Sequence, residues 1–195
     1  MNMKKTKILF WGSFLGGIVL VGLIVLILNI SQGNRMEKLE KMFPNWVSAE
    51  GTIASFQAKF PQEPEYASQE IPLADSEGSI QQEIFVSGSE NMSYFVSSAV
   101  SPVPLESEEE ALLRQSLGGM VQTFTEGEVI SSNYVIPLSG ANYLEFEIHN
   151  VTDDVFVRGR LFTSSQALYQ VYATYSKPAY NDDEYTYFVN SFAIQ

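Results

Sequence analysis

The chain contains no cysteine and a single histidine, His149. Without cysteine there are no disulfides, no thiolate nucleophile, no zinc–cysteine site and no lipid-modified cysteine anchor. Motif-bearing loops are missing too. There is no G-x-x-x-x-G-K-[ST], no G-x-G-x-x-G and no D-x-[DN]-x-[DN]-G calcium loop, so nucleotide and EF-hand calcium sites find no support. No nucleophile elbow accompanies His149.

Basic residues are scarce in most of the chain. Residues 1–49 hold Lys4, Lys5, Lys7, Arg35, Lys38 and Lys41 against Glu37 and Glu40, a net of +4, so the remainder must carry −16 to reach the total of −12. A body this acidic repels phosphate backbones, which excludes nucleic acid as the expected partner. Solubility accounts for the acidity, with a cation or a basic partner as the functional alternative.

Charge is also absent from Ile8–Ile30, ILFWGSFLGGIVLVGLIVLILNI, a run of 23 residues. As a helix it would extend about 34 Å, enough to cross a hydrocarbon core of about 30 Å. Lys4, Lys5 and Lys7 precede it, and no A-x-A cleavage site follows in Asn29-Ile-Ser-Gln-Gly33. The segment is therefore expected to remain as a single-pass signal-anchor in the cell membrane. Its short N-terminal flank places the N-terminus in the cytoplasm and the C-terminal body outside. Gly12 and Gly16 form a G-x-x-x-G at which two such helices could meet as a weak dimer, although glycine is common in membrane helices in any case. The organisation expected is a basic flank at 1–7, a transmembrane helix at 8–30, a juxtamembrane linker at 31–49 and one domain at 50–195. About 145 residues suffice for one core without disulfides.

What is present in the body is a strand-rich pattern. Arg35–Phe43 reads as a short polar helix ended by Pro44. Apolar alternation and β-branched or aromatic runs then predict strands over Thr52–Phe60, Ser79–Ser87, Ser93–Val100, Glu128–Pro137, Asn142–His149, Val155–Thr163 and Leu168–Tyr175. Two helices interrupt them. One starts at Ser107, where Ser-Glu-Glu-Glu110 makes a capping box before Leu113, Leu117, Met120, Val121 and Phe124. The other runs from about Asp182 to Phe192, capped by Asn181 and Asp182, with Tyr185, Phe188, Val189 and Phe192 as its apolar stripe. Strands and helices are segregated, so the fold class is α+β with an antiparallel sheet.

Few residues invite a chemical role. Glu108–Glu110 point in different directions on a helix and are expected to cap and solvate it. Asp153-Asp154 and Asp182-Asp183-Glu184 suit turns and helix starts. His149 is expected at a strand end on the surface. Asn91-Met-Ser93 and Asn150-Val-Thr152 match the glycosylation sequon. Ten tyrosines and thirteen phenylalanines are the one surplus, and the C-terminal group of Tyr169, Tyr172, Tyr175, Tyr180, Tyr185 and Tyr187 is assigned mainly to the core, with some left for a binding face. No residue is nominated as catalytic, as a metal ligand or as a cofactor contact, and no cofactor is expected.

Three stretches in order, Phe56-Gln-Ala-Lys-Phe-Pro-Gln-Glu-Pro64, Tyr94-Phe-Val-Ser-Ser-Ala-Val-Ser-Pro102 before the Leu112-Leu113 helix, and Leu168-Tyr-Gln-Val-Tyr-Ala173 leading to Phe188-Val-Asn-Ser-Phe192, resemble the PsbP-like domain superfamily, in its membrane-anchored bacterial form. The resemblance covers nearly all of 50–195. It implies an α/β/α sandwich around a central antiparallel sheet and a non-enzymatic adaptor role. Photosystem and metal-binding roles are not carried over, since the chain shows no photosynthetic signature and only one histidine. The function expected is a membrane-tethered, non-enzymatic extracytoplasmic domain that binds a partner protein. The alternative is a small-ligand or cation-binding sensor at the membrane surface.

Overall fold

The computed structural model describes residues 35–72, 78–105, 108–124 and 126–195. The expectations for the flank at 1–7, the span at 8–30 and the Gly12/Gly16 contact lie outside the described residues, as does Ser107 of the capping box. Among the described residues no helix is long and apolar enough to cross a membrane. The chain divides into two compact units, one ending at Pro44 and the other running from Asn45 to Gln195.

The described part of the first unit is a helix over 35–42, α1. Lys41 Nζ lies 2.6 Å from Glu37 Oε1 one turn earlier, and Phe43 N–H donates to the Leu39 carbonyl at 2.9 Å. Pro44 then ends it, because proline lacks the amide hydrogen that a further turn needs.

The second unit is built on a seven-stranded antiparallel sheet. Its strands are β3 (Glu65–Pro72), β4 (Ser79–Gly88), β5 (Met92–Val100), β6 (Gly127–Val135), β7 (Tyr143–Asn150), β8 (Val155–Thr163) and β9 (Ala167–Tyr175). They lie in the order β3-β4-β5-β9-β8-β7-β6. Two meanders, β3 to β5 and β6 to β9, thus join where β5 pairs with β9, from Met92↔Tyr175 to Val100↔Ala167. Between them the chain must reach the far edge of the sheet, and helix α2 (Glu109–Gln122) makes that crossing. A second, three-stranded sheet holds β1 (Val47–Glu50), β2 (Phe56–Phe60) and β10 (Ala193–Ile194) in the order β1-β2-β10. Helix α3 (Asp182–Ser191) leads into β10.

Alternation along each strand gives the large sheet two faces, each carrying an apolar layer over part of its area. On the first face Phe85, Tyr94, Val96, Val171 and Phe162 meet Phe56, Ala58 and Phe60 of β2 and Tyr185, Phe188 and Val189 of α3. On the second face Leu144, Phe146, Ile148, Val157 and Leu161 meet Leu113, Leu117 and Met120 of α2. Phe56, Phe60 and Phe188 are fully enclosed, and each contributes about 2–3 kcal/mol of apolar burial. No disulfide is needed to hold this core.

Three sequence expectations change here. The first layer is α3 together with the three-stranded sheet, so the sandwich is helix-only on one side. The expected strand Thr52–Phe60 begins at Phe56, because Thr52 to Ala54 turn to donate hydrogen bonds to Glu83. The folded body starts at Asn45 and not Glu50, since Val47–Glu50 pairs with β2 from Val47↔Phe60 to Glu50↔Gln57, inside the stretch expected as linker.

Candidate functional site

Three carboxylates on the body are surrounded by donors. Glu83 on β4 is fully buried. Its Oε2 accepts from Thr52 N (2.9 Å), Thr52 Oγ1 (3.0 Å) and Ile53 N (3.2 Å), and its Oε1 from Ala54 N (3.1 Å) and Ser98 Oγ (2.9 Å). Burial alone would push this carboxyl up, but the amides of Ala54 and Thr52 and the hydroxyls of Ser98 and Thr52 outweigh it and hold it below the ordinary value.

Glu109, the first residue of α2, accepts from Tyr134 Oη at 2.8 Å, Asn142 Nδ2 at 2.9 Å and Thr163 Oγ1 at 3.1 Å. It too is held low, the desolvation it suffers being outweighed by Asn142, Tyr134 and Thr163. This corrects the expectation for Glu108–Glu110 as a solvated cap. Glu108 is exposed but makes no side-chain cap, Glu109 fastens the helix start to β6, the β6–β7 loop and β8, and Glu110 is exposed, 2.7 Å from Arg114. Glu184 in the first turn of α3 accepts from Tyr94 Oη (2.6 Å), Ser89 Oγ (3.1 Å) and Asn181 Nδ2 (3.1 Å). Burial and the Glu184 charge together push the Tyr94 phenol far up, so it stays protonated.

Beside α3, cations lie on aromatic rings. Arg158 on β8 is 4.6 Å from the Tyr185 ring centre and 5.8 Å from that of Tyr180, and its Nη1 donates to Tyr180 Oη at 2.6 Å. Tyr180 passes its own hydroxyl hydrogen to Asp182 Oδ1 at 2.9 Å. Arg160 rests 4.6 Å over Tyr143 and donates to Asn190 Oδ1 at 2.8 Å. Lys59 and Lys177 sit over Tyr187 and Phe156. Four of the body's five basic residues thus lie over aromatic rings, while Arg114 pairs with Glu110. The C-terminal tyrosines divide as expected: Tyr169, Tyr175, Tyr185 and Tyr187 are buried, while Tyr172 and Tyr180 are half-buried.

His149 lies one residue before the end of β7. Its ring stacks on Phe156 at 4.4 Å, and Nε2 is 3.0 Å from Asp154 Oδ1, in the turn where Asp154 takes φ +50°. Asp153 instead accepts from Asn150 Nδ2 at 2.8 Å, so the amide nitrogen of that sequon is engaged. Asn181 caps α3 by accepting from Asp183 N and Glu184 N. Among the described residues no three His, Cys, Asp or Glu side chains gather as a metal site.

The surface carries a feature that no motif announced. No lysine or arginine occurs between Lys59 and Arg114, the stretch that forms β3, β4 and β5. All eight residues of β3 are exposed. On the second face of the sheet α2 lies over β6, β7 and β8, while Ile84, Val86, Phe95 and Tyr172, on β4, β5 and β9, are half-buried. Phe95 and Tyr172 stack there in parallel, 4.8 Å apart. A groove of about 350 Å³ runs between Ser116 and Gly119 of α2, Thr123 just after it, and Gln170 and Tyr172 of β9. Periodicity locates strands but does not say which pairs with which, so this acidic half-sheet becomes visible only when the strands are assembled.

No family profile and no curated protein matches this sequence. Among solved structures, the chain is similar to cyanobacterial PsbP (CyanoP) from Synechocystis, determined in solution, with 11% identity and a TM-score of 0.52 over 77% of this chain and 93% of that one. At this identity the likeness is one of fold. The fold is PsbP-like.

Proposed function

We propose that the chain is a non-enzymatic domain, tethered to the outer face of the cell membrane by residues 8–30, that binds a partner protein of basic character. The observation that carries this reading is the segregation of charge: a half-sheet free of lysine and arginine from Lys59 to Arg114, in a body whose remaining cations are mostly stacked on aromatic rings. Complementary charge steers encounter and sets partner choice. A tether raises the local concentration of the binding face, so a weak interface suffices. The donor-bound carboxylates support the same reading, since buried Glu83 and half-buried Glu109 and Glu184 each serve several donors that hold strands and helices together.

Crosslinking in native membranes, followed by identification of stoichiometric neighbours, tests it. A basic partner recovered with the full-length chain is the expected result. Recovery of the chain without detergent, or of no reproducible neighbour, overturns it. A second reading, a ligand or cation sensor, is favoured by the open groove of about 550 Å³ lined by Asn91, Tyr180, Asn181, Asp182 and Asp183. Saturable thermal stabilisation by calcium or a small solute would select that alternative.

A further inference from the structure

The two edges of the large sheet are built differently. At one edge, β6 pairs with β7 through a register shift between Val129 and Ser131. Such a bulge twists an edge and interrupts any ladder laid along it. At the other edge β3 pairs with β4 without interruption from Glu65↔Val86 to Pro72↔Ser79, and it has no other strand beside it among the described residues. All eight of its residues are exposed. It carries no lysine and no bulge, two of the common devices that keep an edge from pairing. Proline comes only at the last position, Pro72.

We propose that β3 is a docking edge at which a basic, extended segment of the partner protein adds as an eighth strand. The proposal rests on the partner-binding reading above and specifies its surface. In an antiparallel ladder every second residue of β3 turns its N–H and C=O outward, so the main chain supplies affinity for any extended segment. The side chains supply the selection. Register places Glu65, Ala67, Gln69 and Ile71 on the second face beside Val86, Ile84, Gln82 and Ile80 of β4. An incoming strand finds there apolar Ala67 and Ile71 alternating with polar Glu65 and Gln69, with Ile80, Ile84 and Val86 behind them and a dip at Ala67. On the first face it finds Tyr66, Ser68 and Glu70. Glu63, Glu65 and Glu70 border the edge, in a stretch without lysine or arginine from residue 60 to residue 113. The segment that fits alternates apolar residues with lysine or arginine. A second copy of this chain would bring a like-charged edge to the same place, which favours a different, basic partner.

The test uses the full-length protein in detergent micelles and an acetylated, amidated peptide of alternating lysine and valine matched to β3 in length. A second peptide has the same sequence with alternate amides N-methylated on the pairing side. Hydrogen exchange read by mass spectrometry is expected to slow in β3 and not in β6 when the first peptide is added. The methylated peptide is expected to bind about tenfold more weakly, a loss of about 1.4 kcal/mol. Paired E65K and E70K substitutions, both at exposed positions, are expected to weaken the first peptide and to flatten its salt dependence. Equal binding of both peptides would show attraction by charge without a ladder and would overturn the inference. Protection of β6, no binding at millimolar peptide, or self-association that protects β3 would each do the same.

A photocrosslinker placed at Gln69 and, separately, at Ser131 distinguishes this inference from the reading beneath it. In native membranes, a partner captured from Ser131 but not Gln69 leaves partner binding standing and overturns the docking edge. Capture from neither position, with no neighbour found by general crosslinking, removes both.

Discussion

Glu83 Oε1 accepts the main-chain N–H of Ala54 at 3.1 Å, fixing the turn that leads into β2 onto the middle of β4. The same carboxylate takes the amides of Thr52 and Ile53 and two hydroxyls. A charged, fully buried side chain therefore does what a β-bridge would otherwise do between the two sheets. Gly51 takes part, because a Cβ there would lie 2.1 Å from the Ala54 carbonyl oxygen.

Replacement of Glu83 by glutamine turns one of its oxygens into a donor that faces donors. The loss is expected to be about 2 kcal/mol, the scale of a hydrogen bond to a charged group. The pH dependence has a definite sign. The folded carboxyl is held below its ordinary value of 4.5, so the unfolded chain binds its proton first as acid is added. Its contribution is present above that value and is lost as pH falls through the lower, folded one. Urea titrations from pH 7 down to pH 3 should show the wild type losing its advantage over E83Q below about pH 4.5, the ordinary carboxyl range. A constant gap between the two across that range would contradict the assignment.

Gly159 is the partner of Tyr172 in the β8–β9 ladder. A Cβ there would meet the Val171 carbonyl oxygen at 2.3 Å and Tyr172 Cβ at 2.4 Å, and neither is the free end of a flexible side chain. Gly159→Ala must therefore displace backbone in the middle of the sheet, at an expected cost of about 2–4 kcal/mol. Gly118→Ala, on α2, has open space around its Cβ and should gain up to about 1 kcal/mol from helix propensity. Thermal melts of the two variants should shift in opposite directions.

The contrast between what the residues announced and what they hid follows burial. β7 and β9 were legible within a residue or two because each buries alternate side chains, Leu144, Phe146 and Ile148 in β7, and β8 because its apolar residues are buried on both faces. α3 was legible because Asn181 realises its cap and Tyr185, Phe188 and Val189 mark the buried stripe. β3 was not: Glu65-Tyr-Ala-Ser-Gln-Glu-Ile-Pro72 is exposed along its whole length, so no hydrophobic period betrays it and its conformation comes from pairing with β4. β1 and β10 were missed for a related reason. They are short, and Ala193↔Gln57 joins residues far apart in sequence. Glu83 reads as one more surface acid until the donors of residues 52–54 and Ser98 are brought around it. The docking edge was hidden for both reasons at once.

Tyr94 Oη donates to Glu184 Oε2 at 2.6 Å across the first face, with the Tyr94 ring enclosed between Trp46 at 5.4 Å and Phe188 at 5.0 Å. Tyr94→Phe keeps the packing and removes only the hydroxyl, leaving Glu184 to Ser89 and Asn181. The expected loss is about 1–2 kcal/mol. Tyr94→Ala also opens a cavity in the largest cluster and should cost about 3–5 kcal/mol. Hydrogen exchange distinguishes local from global effects: Y94F should speed exchange in α3 more than in α2, which packs on the opposite face.

Arg158 tests whether the cation-on-aromatic contacts matter for more than charge. Its guanidinium is planar, lies 4.6 Å from the Tyr185 ring centre, donates to Tyr180 Oη at 2.6 Å, and has carboxylates of Asp182 and Glu145 at 3.9 and 4.0 Å. Lysine keeps the charge but cannot stack flat while pointing a second donor at Tyr180. Arg158→Lys should therefore lose about 1 kcal/mol. Arg158→Met should lose more, because it also removes the positive charge beside Glu145 and Asp182. Raising the ionic strength to 1 M shortens the screening length to about 3 Å. It should narrow the gap between the Lys and Met variants, which reflects charge, and leave that between Arg and Lys, which reflects shape. A wild-type advantage that vanished with salt would mean that the ring stack contributes nothing.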